Sequence, residues 1–249
     1  MLTVSQMNFL KQLDEEEISL LTVKEYENMN EIIENLARKG FLHRLERGKY
    51  CRSTFHDENV IGTFIASDGA ISYWSALNLH GLTEQFPNTI FVQTTHKKNS
   101  VSVFGAEYQF IKINRQKRAG IAFYGYGNYK YPITDVEKTL IDCFDLPQYS
   151  GGYAELIRAF HRAELNTDKM INYCIAVNNI AATKRMGFLS ELFHRKELQS
   201  FIEFARTKVN RTYNLFDPFG ESTGEPDSTW YLRLNLSKEK ILEIAKNSY

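Results

Sequence analysis

The stretch from Asn30 to Ser53 constrains the fold most, because it holds a helix, a stop signal and a hairpin in only 24 residues. Apolar residues recur there at steps of three and four, at Met29, Ile32, Ile33 and Leu36. This spacing predicts a helix with one apolar face that packs on a core.

The same stretch also predicts how that helix ends and that a hairpin succeeds it. Lys39 and Gly40 provide a cation in the last turn and a glycine that can adopt the left-handed cap. Phe41–Leu45 is then expected as a strand, Glu46–Gly48 as a short turn with a positive φ at its glycine, and Lys49–Arg52 as the returning strand.

A helix that leads directly into a hairpin with a basic tip is typical of a winged helix-turn-helix. In such a unit the helix enters the major groove of DNA and the wing contacts phosphates or the minor groove. The preceding residues fit this arrangement: we expect a first helix over Thr3–Leu13, a short strand within Ile18–Val23 and a short second helix over Thr22–Glu27. The sequence therefore predicts a DNA-binding domain over residues 1–55.

Charge within this domain is uneven. Residues 1–55 carry about as many anions as cations, but the segment 38–52 has six cations against the single anion Glu46. Asparagine and glutamate side chains can read base edges, whereas arginine and lysine bind phosphates. The predicted DNA-binding residues are Asn30, Glu31, Glu34, Asn35, Arg38, Lys39, Arg44, Arg47, Lys49 and Arg52.

Residues 60–249 are expected to form a second domain of the α+β class, with a small antiparallel sheet followed by a helical C-terminal half. We predict helices over Val60–Ala66 and Ile71–Leu79 and several strands within 90–133. From Asp135 onward the apolar period becomes helical, until a last strand within Trp230–Leu236 and a terminal helix that Ser237 caps.

Two further segments are basic. Residues 96–118 hold six cations and one anion, and they form a predicted secondary basic surface: Lys97, Lys98, Lys112, Arg115, Lys117 and Arg118. Residues 155–211 also have an excess of cations. Both segments could extend a phosphate-binding surface, bind an acidic protein or RNA, or simply be solvated faces.

Other classes of function are disfavoured by what the sequence lacks. It has no P-loop, no GxGxxG after a strand, no HExxH and no GxSxG, and its six histidines are scattered, so we expect no enzyme activity, no metal and no cofactor. Three distant cysteines, no long apolar run and no signal-peptide pattern predict a cytoplasmic protein. The carboxylates Asp135, Glu137, Asp142 and Asp145 could serve as acid and base, but charges suited to a helix N-terminus explain them better.

Three segments resemble the AbiEi family of antitoxins and transcriptional repressors in bacterial type IV toxin–antitoxin systems, which act in abortive infection and phage defence. The segments are RKGFLHRLERGKY (Arg38–Tyr50), ISYWSALNLHGLTEQFPNTIFVQTT (Ile71–Thr95) and DVEKTLIDCFDLPQYSGGYAELIRAF (Asp135–Phe160). The resemblance covers roughly residues 30–200 in the same order, and YWSALNLHGLTEQFP is its most specific part.

The resemblance implies an N-terminal winged helix that binds inverted repeats in the protein's own promoter, and a C-terminal domain that supplies antitoxicity. It implies a nucleotidyltransferase-like toxin as the functional partner, without the need for a stable complex, and no membrane. Glu31 and Glu34 on the expected recognition helix leave an alternative open: a protein-interaction module whose winged helix is a scaffold with no DNA activity.

Overall fold

The fold combines helices with three small sheets, and the computed structural model describes residues 1–247. The α-helices are α1 (Val4–Glu15), α2 (Asn30–Arg38), α3 (Glu58–Ile65), α4 (Tyr73–Leu79), α5 (Val136–Asp145), α6 (Tyr153–Arg162), α7 (Thr167–Val177), α8 (Ile180–Leu192), α9 (Gln199–Lys208) and α10 (Lys238–Lys246). The strands are β1 (Leu20–Thr22), β2 (Leu42–Glu46), β3 (Lys49–Arg52), β4 (Ala70–Ile71), β5 (Thr89–Thr94), β6 (Val101–Val103), β7 (Ala106–Lys112), β8 (Ile121–Tyr124), β9 (Tyr131–Thr134), β10 (Asn214–Leu215), β11 (Glu225–Asp227) and β12 (Leu232–Leu234). The α+β class expected from the sequence is confirmed.

The first 53 residues form a unit of two helices and a three-stranded antiparallel sheet in the order β1-β3-β2. Thr3 and Gln6 begin α1 with a capping box, in which each side chain accepts a hydrogen bond from the backbone N–H of the other residue. The buried faces of both helices meet the sheet in a small core that includes Phe9, Ile33 and Leu36.

Most of the local expectations for this unit hold. The helix over 30–38, the two strands and the two left-handed glycines, Gly40 and Gly48, are all present. The expected helix over Thr22–Glu27 is wrong, because only a 3-10 turn forms over Val23–Glu25. Asn28 has a φ of +61° two positions before α2, and this left-handed residue redirects the chain before a second helix can extend.

The central sheet has six strands in the order β6-β7-β5-β4-β9-β8. It is mixed, so the expectation of an antiparallel sheet is wrong: β5 runs parallel to β7, and β4 runs parallel to β9. After β5 the chain crosses to the sheet edge, makes β6, and turns through Phe104 and Gly105 so that β7 fills the place beside β5. Alternation of apolar and polar side chains along the sequence indicates a strand, but it does not indicate whether that strand runs parallel or antiparallel to its neighbours.

Two cores flank this sheet. Val92 and Ile133 face α3 and the hairpin β2–β3, so that Leu45 and Cys51 of the N-terminal unit join this core. The opposite face, with Phe91, packs on a larger core that α4 to α10 enclose. Because the hairpin contributes to a shared core, the boundary between domains 1–55 and 60–249 stays a prediction.

The helical half follows the expected order and adds one element that the sequence did not suggest. The helices from α5 to α10 lie where the period predicted them, and Asn166 and Ser237 cap α7 and α10. The last strand expected within Trp230–Leu236 is present as β12, and the unexpected element is a third sheet that it forms with β10 and β11, in the order β10-β12-β11. None of the helices in residues 1–247 is long and apolar enough to cross a membrane.

Candidate nucleic-acid interface

Three arginines of the N-terminal unit are exposed on the side formed by the end of α2 and the hairpin β2–β3: Arg38, Arg44 and Arg47. Arg47 and Gly48 form the hairpin turn, where Gly48 has a φ of +77°. Arg38 donates to the Asn35 amide oxygen at 2.7 Å, and Arg44 Nε lies 3.4 Å from the Glu46 carbonyl oxygen. None of the three forms an ion pair with another of the described residues, so their charge is available to a ligand.

The exposed face of α2 carries Asn30, Glu31 and Glu34, with Asn35 half-buried beside them. Lys39, just after the helix, donates to the Met1 carbonyl oxygen at 2.8 Å and to Gln6 Oε1 at 2.7 Å. It therefore ties the start of the chain to the end of α2. The helix itself presents two carboxylates and two amides, which can accept from or pair with base edges but do not attract phosphate.

Two of the predicted DNA-binding residues are turned towards the protein. Lys49 Nζ donates to the carbonyl oxygens of Phe64 and Ile65 at 2.8 and 2.7 Å and pairs with Glu46 at 3.1 Å. Arg52 pairs with Asp14 at 2.8 Å. Both side chains are mostly buried and hold the hairpin against neighbouring elements, so phosphate binding by this unit would rest on the three exposed arginines.

The secondary basic surface also divides into free and engaged cations. Lys97, Lys112, Arg115 and Arg118 are exposed. The other two are engaged: Lys117 pairs with Asp145 at 2.5 Å, and Lys98 pairs with Glu46.

The pair between Lys98 and Glu46 brings the loop after β5 to the base of the hairpin turn. The ring of Phe104 lies beside it, with ring centroids 4.2 Å from His43 and 4.5 Å from His56. Lys97 and Arg47, the exposed neighbours of Lys98 and Glu46 in sequence, flank the two ends of this ion pair along the chain.

His43 is a candidate that sequence reasoning missed. It lines a shallow cavity of about 370 Å³ together with Glu34, Arg38, Arg44 and Tyr50. The sequence signal was its position on the expected strand, next to Arg44 and within a run of cations. A half-buried histidine there can donate or accept a hydrogen bond from a ligand that both arginines hold.

The carboxylates of α5 are all engaged in holding the fold. Asp135 caps α5 and accepts from Lys169 and Tyr173, at 3.0 and 2.9 Å. Asp142 forms a buried pair with Lys138, and burial raises the pKa of Asp142 although that lysine opposes the shift.

Glu137 and Asp145 complete this set. Glu137 accepts from the Asn166 N–H at 2.8 Å, and Asp145 accepts from Lys117 and from Asn179 at 2.8 Å. These contacts join α5 to α7, to α8 and to the 3-10 turn after β7, which explains the cluster without catalysis.

Several cations of segment 155–211 lie inside the helical half. Lys184 is fully buried and donates to Asn210 Oδ1, the Thr212 carbonyl oxygen and the Tyr231 carbonyl oxygen at 2.7 to 3.3 Å. Burial lowers the pKa of Lys184 to about 8. Arg185 is buried as well and donates to the Leu215 carbonyl oxygen at 2.9 and 3.1 Å. The charge excess of this segment is therefore only partly on the surface.

Within the described residues, no group of three or more His, Cys, Asp or Glu side chains is arranged to hold a metal ion. Each cysteine is buried, and burial raises the pKa of the Cys51 thiol to about 11 and of the Cys174 thiol to about 12. His80 is engaged by the Tyr124 hydroxyl at 2.8 Å and the Thr134 carbonyl at 2.7 Å, and burial lowers its pKa. These groups serve the packing of the fold.

No protein-family model matches the chain, and no curated protein matches it. Among solved structures, the chain is similar to the RV2827C protein from Mycobacterium tuberculosis. That similarity covers 99% of this chain and 96% of the other, with a TM-score of 0.67 and 14% sequence identity. At this level of identity, the likeness shows that the two chains share a fold over nearly their whole length.

Proposed function

We propose that this protein is a DNA-binding autorepressor and the antitoxin of a bacterial type IV toxin–antitoxin system. The observation that carries the DNA part is the arrangement of the first 53 residues. α2 runs directly into a hairpin whose turn is exposed at Arg47, and three exposed arginines that form no ion pair with a described residue lie on these two elements.

A winged helix-turn-helix accounts for this arrangement. The order β1-β3-β2, with α2 leading into β2, is the topology that such a unit requires, and the 3-10 turn over Val23–Glu25 takes the place of its short middle helix. Arg47 at the turn would contact the DNA backbone, while Arg38 and Arg44 flank the groove. Lys97 would lengthen the same surface from the second domain.

The antitoxin part rests on the resemblance of residues 30–200 to the AbiEi family. Two of the three segments that carry it, Ile71–Thr95 and Asp135–Phe160, supply α4, β5, α5 and α6, which pack together in the largest core. The expected functional partner is a nucleotidyltransferase-like toxin, and the expected DNA is an inverted repeat upstream of the protein's own reading frame.

A gel-shift series with that upstream DNA at several salt concentrations tests the DNA part. Replacing Arg38, Arg44 and Arg47 together by alanine should lower the dependence of log K on log salt by about three units, because each phosphate contact contributes about 0.9. A matched triple variant, Lys196→Ala, Lys208→Ala and Arg211→Ala, removes three exposed cations of the helical half and should leave the slope unchanged. Equal slopes for both triple variants would contradict the assignment of the interface.

The second candidate is a protein-interaction module with a scaffold winged helix. The exposed Glu31 and Glu34 favour it, because carboxylates on the presented helix face repel phosphate. Two assays in one strain distinguish these two candidate functions. Co-expression with the neighbouring toxin gene measures rescue of growth, and a reporter behind the upstream DNA measures repression. Rescue without repression would select the interaction module, and repression that the first triple variant abolishes would select the autorepressor.

A further inference from the structure

A cavity of about 490 Å³ lies where the N-terminal unit meets the central sheet. Leu20, Thr22 and Lys49 line it from the first unit, and Phe64 of α3 lines it from the second. Arg118, Phe123 and Lys130 close the remaining side, around β8. Both β1 and β8 are edge strands of their sheets, so the opening lies between two strands that have a hydrogen-bonded neighbour on one side only.

The lining carries three cations and one anion, and the anion is already satisfied. The Asp68 carboxylate accepts from the Thr95 N–H at 3.0 Å, from the Thr95 hydroxyl at 2.5 Å and from Thr94. Burial tends to raise the pKa of Asp68, but these hydrogen bonds, together with that from His96, outweigh burial and hold it well below its ordinary value. Asp68 therefore stays ionised, and its oxygens point to the end of β5, where hydrogen-bond donors of the protein already occupy them.

Two of the three cations have donors to spare. The only hydrogen bond that the Arg118 side chain makes within residues 1–247 is from Nε to the Asp68 carbonyl oxygen at 3.4 Å, so both of its terminal nitrogens are available to a ligand. Lys130 is exposed and forms no ion pair with a described residue. Lys49 also lines the cavity, but its two carbonyl partners and its pair with Glu46 at 3.1 Å already engage it. A fork-shaped guanidinium and a nearby ammonium suit the oxygens of a phosphate.

The cavity also has two aromatic walls. The ring of Phe123 is 62% exposed, and Lys130 Nζ lies 5.0 Å from its centroid. The ring of Phe64 has Lys49 Nζ 5.4 Å from its centroid. Because the Phe123 ring is largely exposed, a flat, polarisable partner can stack on the part of it that Lys130 does not cover, and nucleobases stack readily on such rings.

The cavity combines phosphate-binding donors, aromatic walls and a volume that holds one small molecule. Together these features suit a single class of ligand. We propose that this junction cavity binds a free nucleoside phosphate, with its base on Phe123 and its phosphates on Arg118 and Lys130. The ligand would touch residues of both units, and the proposal does not depend on DNA binding. The volume lies within the range of small-ligand pockets and is too small for several nucleotides of a strand.

Fluorescence titration of the full-length protein with N-methylanthraniloyl derivatives of GTP and ATP tests the site directly. Wild type should bind at least one of them with a dissociation constant of micromolar order. Arg118→Gln and Phe123→Ala should each weaken binding about tenfold or more, since each removes one part of the recognition. Unlabelled nucleotide should displace the probe, and inorganic phosphate should not do so at the same concentration.

Matched controls keep the test specific. Arg115→Gln removes an exposed arginine of the adjoining turn, and Phe86→Ala removes a phenylalanine that is 81% exposed; neither residue lines the cavity. Both variants should bind like wild type, and circular dichroism should show that all four variants are folded. The proposal is overturned if wild type binds neither nucleotide, if controls and cavity variants lose affinity equally, or if only RNA oligomers displace the probe.

Discussion

The hairpin region and the helical half use the same residue types in opposite ways. Around the hairpin, Arg38, Arg44 and Arg47 are exposed and form no ion pair with a described residue. In the helical half, Lys138 and Lys184 are fully buried and bonded to carboxylate, amide or carbonyl oxygens. Exposed cations are free to bind a partner, whereas buried ones hold elements of the fold together. Net charge along the sequence therefore overstates the basic surface of the helical half, and in the hairpin region it overstates that surface by Lys49 and Arg52, which are engaged within the protein.

The largest effect is expected at the buried ion pair of Lys138 and Asp142, whose side chains are 0% and 2% exposed. Lys138→Met should lower the free energy of unfolding by about 3–5 kcal/mol, because it leaves a buried carboxylate without its cation. The double variant Lys138→Met/Asp142→Leu should recover much of that loss. Urea denaturation at neutral pH measures both.

A loss below about 1 kcal/mol in the single variant would mean that water reaches the pair. The contrast between inward and outward charges would then be weaker than the burial indicates.

The buried Lys184 should make the free energy of unfolding depend on pH, which an exposed lysine should not do. Its pKa in the folded protein is about 8, against about 10.4 for an ordinary lysine, so between these values the unfolded chain binds a proton that the folded chain has released. The contribution of Lys184 to stability should therefore rise with pH across this window, by up to about 1.4 kcal/mol per pH unit. The difference in unfolding free energy between wild type and Lys184→Met, measured from about pH 7.5 to about pH 9.5, isolates it from other titrating groups.

The exposed Lys196 is the control for this pH series. Lys196→Met should differ from wild type by a constant amount over the same range. A constant difference for Lys184→Met as well would show that its ammonium reaches solvent.

The smallest expected effects separate two arginines of the hairpin. Arg47→Ala should lower the salt slope of DNA binding by about one unit and change stability by less than about 0.5 kcal/mol, since the side chain is exposed and forms no ion pair with a described residue. Arg52→Ala should leave the slope unchanged and cost about 0.2–1 kcal/mol, because it breaks the pair with Asp14. Gel shifts and urea denaturation of both variants test this, and the reverse pattern would exchange their roles.

Much of the local structure was predictable from sequence because its causes are local. The left-handed Gly40 and Gly48, the cap at Ser237 and the helical periods all act over a few residues. The direction of β7 was not predictable, since it depends on where β6 returns along the sheet edge. The helix wrongly expected at 22–27 had the same kind of cause: it gave way to the turn at Asn28 that packing of the first unit requires.

The candidate nucleic-acid interface also has some features that local sequence determines and others that depend on tertiary structure. The sequence by itself determined a helix and a hairpin with clustered cations, because apolar period and turn chemistry are written in neighbouring residues. Only the tertiary structure decided which cations are free: Lys49 and Arg52 turn inward because carbonyl oxygens of α3 and the Asp14 carboxylate lie beside them. The cavity at the junction is likewise a tertiary feature, since Lys49, Phe64 and Phe123 come together only when the N-terminal unit packs on α3 and the central sheet, and no spacing along the chain records that contact.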